Sequence, residues 1–237
     1  MITQDRAYTD VFDPGAGAQP TVVHLTQERG LRPVTSVAVD SAMPDAWDGR
    51  IAYVISQVGS PPVLASVAMA LAASTLSGPW AWMWAGMYVS LAILTPLLYL
   101  FWLVRHGRVT DLDVQLREQR MRPLLFTIAC NGAAWVLLIL GAAPSLMVVL
   151  AGVLWVQMSA IFAITLFWKI SVHCAAAAVA ATLIWSLTGT PLPLLIGVPI
   201  VAWSRVRLRR HTVPQTVGGA LLGIAIFMAG LCLVYGR

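Results

Sequence analysis

From residue 59 onward the chain consists of long apolar runs broken by three polar islands, and this pattern constrains the fold more than any other feature. The first island, RHGRVTDLDVQLREQRMRP, runs from Arg105 to Pro123. The second, WKISVH, runs from Trp168 to His173, and the third, WSRVRLRRHTVPQTVGG, from Trp203 to Gly219. Apolar runs of ~20 residues match the length a helix needs to cross the hydrocarbon core of a bilayer. Hydrophobic residues make up 59% of the chain and charged residues 11%, which excludes an ordinary soluble domain. The expected fold is all-α: a polytopic membrane helical bundle of about six to seven transmembrane helices.

The expected spans are 61–77, 83–104, 124–141, 145–167, 171–188, 191–206 and 215–235. Residues 1–58 read as a polar N-terminal tail, and 59–237 as the transmembrane domain. The tail is rich in Pro and Gly up to about residue 44 and shows no sustained periodicity, so extended or partly disordered chain is expected there. His24 lies in it as a solvated side chain. Asp45 to Gln57 is suited to an amphipathic helix leading to the bilayer, and no cleavable signal peptide is expected. Trp80, Trp82 and Trp84 form an interfacial belt at the first hairpin. Asn131 and Gln157, inside spans, either bond between helices or line a cavity. Cys130, Cys174 and Cys232 lack metal-site spacing and are expected as small core residues.

Crossing number brings the islands together. Each island is separated from the next by two spans, so all three return to one face, and the N-terminal tail lies on that face too. The opposite loops, near Gly78, Ala143 and Gly189, carry no charge. The positive-inside rule then places tail and islands in the cytoplasm and Arg237 outside, with the plasma (inner) membrane as the expected location.

The converging residues are His173, His211, Lys169, Ser171 and a set of arginines: Arg117, Arg120, Arg122, Arg205, Arg207, Arg209 and Arg210. Lys169 is the single lysine of the chain, and the net charge is +5. Arginine holds phosphate in a fork of donors and stabilises the charge of a loose phosphoryl transition state. One histidine could attack phosphorus while the other protonates the leaving alkoxide. Ser171 and His173 open the fifth span, whose N-terminal N–H groups suit an anion. The alternative is a set of snorkelling cations that only anchors the bundle.

Ser204-Arg205, five residues and then His211 form an SR-x5-H pattern, with Gly219 following. In this the chain resembles the type 2 phosphatidic acid phosphatase (PAP2) superfamily. Lys169-Ile170-Ser171-Val172-His173 resembles a variant of that family's P-S-G-H motif, keeping Ser and His. Arg122-Pro123 resembles the end of its K-x6-R-P motif. The resemblance spans roughly residues 60 to 235 and follows a variant pattern, K-I-S-x-H with SR-x5-H-x3-Q. It implies a PAP2-like helical membrane bundle that needs no cofactor and no metal. It implies that His211 is the nucleophile, forming a phosphohistidine, and that His173 protonates the leaving group. Arg122, Arg205 and the Ser171 region would bind phosphate, with Lys169 beside them.

Two positions depart from the family pattern. The first-motif lysine falls on Gln115, for which Arg117 or Arg120 could substitute. The acidic partner of the nucleophile is Gln215, which can accept a hydrogen bond from the ring but brings no charge. The comparable loss of an aspartate in a serine protease triad lowers rate by about 10⁴. The leading expectation is an integral membrane phosphatase acting on a lipid phosphate or prenyl (di)phosphate, with membrane lipid as its partner and no nucleic acid. The alternative is a non-catalytic lipid-phosphate-binding or assembly subunit that retains the arginine cradle. A transporter is disfavoured because no acidic group lies within the spans.

Overall fold

The computed structural model describes residues 47–109 and 117–235. The N-terminal tail to residue 46, the middle of the first island with Gln115, the side chains of Arg117 and Arg120, and Arg237 lie outside the described residues. All regular structure among the described residues is helical. The helix at Trp47–Val58, assigned from the sequence to the tail, packs with the apolar helices in one compact unit.

The helices are α1 (Trp47–Val58), α2 (Pro61–Ser74), α3 (Pro79–Arg105), α4 (Arg117–Leu140), α5 (Ser145–Thr165), α6 (Val172–Thr188), α7 (Val198–Arg207) and α8 (Val213–Tyr235). Proline opens α2 and α3, where its missing N–H is one of the donors a first turn leaves unused. Among the described residues, four helices are long and apolar enough to cross a membrane: α3, α4 from Met121, α5, and α8 to Leu233. Their apolar side chains also point outward, as with Leu98 (59% exposed), Leu140 (77%) and Leu221 (61%), the pattern of helices solvated by lipid.

Two of the expected spans, 61–77 and 191–206, take a different form, while 171–188 forms the short helix expected there. Residues 61–77 hold the 14-residue α2, which meets α1 at a 48° bend, so the two together make at most one broken span. The stretch 191–206 is a π-wound turn, Pro193–Gly197, followed by the short α7. α6 has 17 residues and is buried along most of its length, from Cys174 to Leu183. It packs against α2, α7 and α8, so its surroundings are largely protein, and a lipid-matched length is not required of it.

The closest of these contacts is with α8. A side chain at Gly219 would run into the Ser171 carbonyl oxygen, and one at Gly223 into that of Ala175. Glycines four apart on α8 thus let its backbone approach the alanine-rich face of α6.

Asn131 forms the interhelical bonds expected of it. Pro96 has no N–H for the Ala92 carbonyl, and the helix is π-wound from Val89 to Leu94. The Asn131 amide donates to that carbonyl at 3.0 Å, and Tyr88 donates to the Asn131 oxygen at 2.8 Å. Gln157, by contrast, is buried with its Oε1 lacking a hydrogen-bond partner among the described residues. Trp80 and Trp82 are exposed at the start of α3, whereas Trp84 lies against Gly141. Cys130 and Cys174 are buried as expected, but Cys232 is exposed because it sits on the outer face of α8.

Candidate functional site

The third island forms a tight reversal between α7 and α8. α7 ends with Arg210 N–H donating to the Arg205 carbonyl at 3.0 Å and Arg209 N–H donating to that of Val206 at 2.9 Å. This is a Schellman ending, which wants a left-handed residue. Arg209 supplies it with φ of 53°, in the place glycine usually takes. The Arg205 carbonyl also accepts from His211 N–H at 3.3 Å. The turn therefore seats the His211 backbone directly on that of Arg205, and the SR-x5-H spacing is the length this reversal requires.

Gln215 fixes the ring of His211. Its Oε1 lies 3.1 Å from Thr212 N and 3.3 Å from His211 Nδ1. A backbone N–H can only donate, so the atom facing it is the amide oxygen. The same oxygen can only accept, so Nδ1 of His211 carries a proton, and in the neutral ring Nε2 then holds the lone pair. The Thr212–Gln215 contact is half of a capping box at the start of α8. One side chain thus caps the helix and sets the imidazole tautomer.

The second island arrives from α6. Ser171 is fully buried and caps α6, its hydroxyl accepting from Cys174 N–H at 3.3 Å. Its own N–H donates to the Gln215 carbonyl at 3.1 Å, which ties the start of α6 to the first turn of α8. Ser171 therefore contributes chiefly by orienting the helix N-terminus. Lys169 is half-buried two residues before the cap.

His173, on the first turn of α6, lies within electrostatic reach of both Arg205 and His211, so the three share one neighbourhood. Arg205 is 4% exposed, and its Nη1 lies 3.5 Å from His173 Nε2. A guanidinium only donates, so that long contact makes Nε2 the acceptor and leaves the His173 proton on Nδ1.

Two residues that the sequence reading did not single out meet the third island from α1. Arg205 Nη1 donates to Ser56 Oγ at 2.6 Å. Arg207 grips Asp48 with two bonds, Nε to Oδ2 at 2.7 Å and Nη2 to Oδ1 at 2.9 Å. The hydrogen bond from Arg207 holds the Asp48 carboxyl below the usual aspartate range. The amphipathic helix expected at Asp45–Gln57 was the available signal, because it turns Gly49, Ala52 and Ser56 to one face.

The structure brings together Ser171, His173, Arg205, His211 and Gln215. Arg122 is exposed on α4 and makes no hydrogen bond or ion pair among the described residues. Beside the site, an apolar groove of about 410 Å³ runs between α7 and α8, lined by Ala202, Trp203, Val206, Val213, Val217 and Ala220. No family model matches the chain, and neither a curated protein nor a solved structure matches it.

Proposed function

We propose that the chain is an integral membrane phosphatase of the PAP2 type, with six to seven crossings, that hydrolyses a lipid phosphate or prenyl (di)phosphate. The observation that carries this reading is the pairing of His211 Nδ1 with Gln215, beside His173 and the buried Arg205. It leaves Nε2 of His211 as a neutral, oriented nucleophile. Arg205 and the α6 N-terminus would hold the phosphoryl oxygens, with Lys169, Arg122 and Arg117 as further phosphate-binding candidates.

In the reaction, Nε2 of His211 forms a bond to phosphorus as the bond to the leaving alkoxide breaks. His173 gives that alkoxide a proton, and water then releases phosphate from the phosphohistidine. At rest, His173 Nε2 faces Arg205 as an acceptor. It acts as acid by relay: once a bound phosphate monoester has drawn the guanidinium to itself, Nε2 takes the proton of the substrate's own P–OH and passes it to the leaving alkoxide. The groove between α7 and α8 supports a lipid substrate, since its lining of Ala202, Trp203, Val206, Val213, Val217 and Ala220 is apolar and can take a hydrocarbon tail. The uncharged opposite loops support a cytoplasmic site face at the plasma membrane.

The neutral Gln215, shared with the cap of α8, favours one second reading: a lipid-phosphate-binding subunit without turnover. The deciding experiment measures phosphate release by purified protein from a panel of lipid phosphates and prenyl diphosphates. His211→Ala and Gln215→Asp are run beside wild type. Release by wild type that vanishes in His211→Ala is the expected result. Release from Gln215→Asp alone would favour the binding subunit, and full release from His211→Ala would overturn the nucleophile.

A further inference from the structure

α1 lies against α7 through polar contacts that a mere leader into the membrane would not need. The Asp48–Arg207 pair is bidentate, and the Arg205–Ser56 bond links residues 149 positions apart. The approach is close at the helix end as well, since a side chain at Gly59 would meet Val201 Cγ2 at 2.9 Å. Ser56 is 4% exposed and sits on the inner face of α1 with Gly49 and Ala52. Its oxygen accepts from the same guanidinium nitrogen that faces His173. The Ser56 hydroxyl and the His173 ring thus bracket one end of Arg205.

We propose that Ser56 is a positioning residue of the phosphate site, aiming the Arg205 guanidinium and offering its own hydroxyl proton to a bound phosphate oxygen. This rests on the reading of Arg205 as a phosphate ligand. A guanidinium donates through five N–H groups, and one of them anchored on Ser56 leaves the planar fork in a set direction. The Ser56 oxygen accepts while its O–H donates, so arginine and serine together can meet two oxygens of one phosphate. The site then has a wall from outside the expected transmembrane domain, and α1 becomes part of the binding machinery.

The test uses the full chain in lipid nanodiscs with inorganic phosphate as the probe, its binding followed by calorimetry. The variants are Ser56→Ala, Ser56→Cys, Ser56→Thr, Asp48→Asn and Arg205→Ala. Ser56→Cys keeps the volume of the side chain but accepts hydrogen bonds weakly, so it guards against a folding failure in Ser56→Ala. The expected result is that Ser56→Ala and Ser56→Cys each weaken phosphate binding about tenfold, while Ser56→Thr retains it. Asp48→Asn, which weakens the tie of α1 to α7 without touching the hydroxyl, is expected to weaken phosphate binding less than Ser56→Cys does. Wild-type affinity in Ser56→Cys would overturn the proposal while leaving the phosphate site intact. Equal losses in Ser56→Cys and Asp48→Asn would overturn it in favour of a purely structural α1. Wild-type binding no better than that of Arg205→Ala would overturn the phosphate reading, and this inference with it.

Discussion

Gln215 joins two tasks in one oxygen: it accepts from Thr212 N–H as a helix cap and from His211 Nδ1–H as a ring support. The two tasks separate on substitution. Gln215→Leu removes both bonds and should lower stability by about 1 kcal/mol, the usual worth of a cap, seen in thermal unfolding. On the proposed phosphatase reading, phosphate release should fall much further, by about 10²-fold, because the imidazole is then free to hold its proton on either nitrogen. Equal, small effects on both readouts would leave Gln215 as a cap alone. The His211–Gln215 pair was legible through the resemblance to the PAP2 pattern, and the contact forms because the two residues are four apart at a helix start. Ser56 was not legible, since nothing near it in sequence points to Arg205.

The α6–α8 pair depends on small residues. GALLG, from Gly219 to Gly223, repeats glycine at a four-residue spacing, and the facing stretch of α6 is CAAAA from Cys174 to Ala178. Both glycines lie against carbonyl oxygens of α6. Gly223→Val should therefore force the helices apart and cost about 1–3 kcal/mol, measured as a lower unfolding temperature. Because Ser171 N–H bonds to the Gln215 carbonyl across the same seam, the proposed phosphate release should fall together with stability. Retained stability in Gly223→Val would show that α6 and α8 tolerate a wider spacing. The glycine spacing was readable in the chain, but its partner was not. The polar groups of α3 show the same division. Pro96 announces an unused carbonyl, whereas only packing reveals that Asn131 answers it.

For the whole molecule, the docking of α1 is the feature with a pH signature. The Asp48 carboxyl titrates below its ordinary value of 3.8 because Arg207 bonds to its ionised form. A carboxyl depressed in the folded state stabilises the fold above its unfolded value, and that stabilisation is lost as pH falls through the folded value. Thermal unfolding of wild type and Asp48→Asn should thus differ by a constant amount above pH 3.8, and the gap should close below it. The gap should also shrink in high salt, because both partners are about one-third exposed. A gap that persists at low pH would assign the α1 contact to its apolar face.

Local chemistry alone dictated the helical class and the apolar runs, and four-residue spacing at a helix start allowed the contact of His211 with Gln215. Each depends on residues within a few positions of one another or on the demand of hydrocarbon for internally bonded backbone. The tertiary structure decided what spans of mere length could not. α2 and α7 are short, and α6 is a buried axis held by glycine contacts. A helix assigned to the tail returns across 149 positions to hold Arg205. Such contacts arise from three-dimensional complementarity between distant segments, and no periodicity or local spacing encodes them.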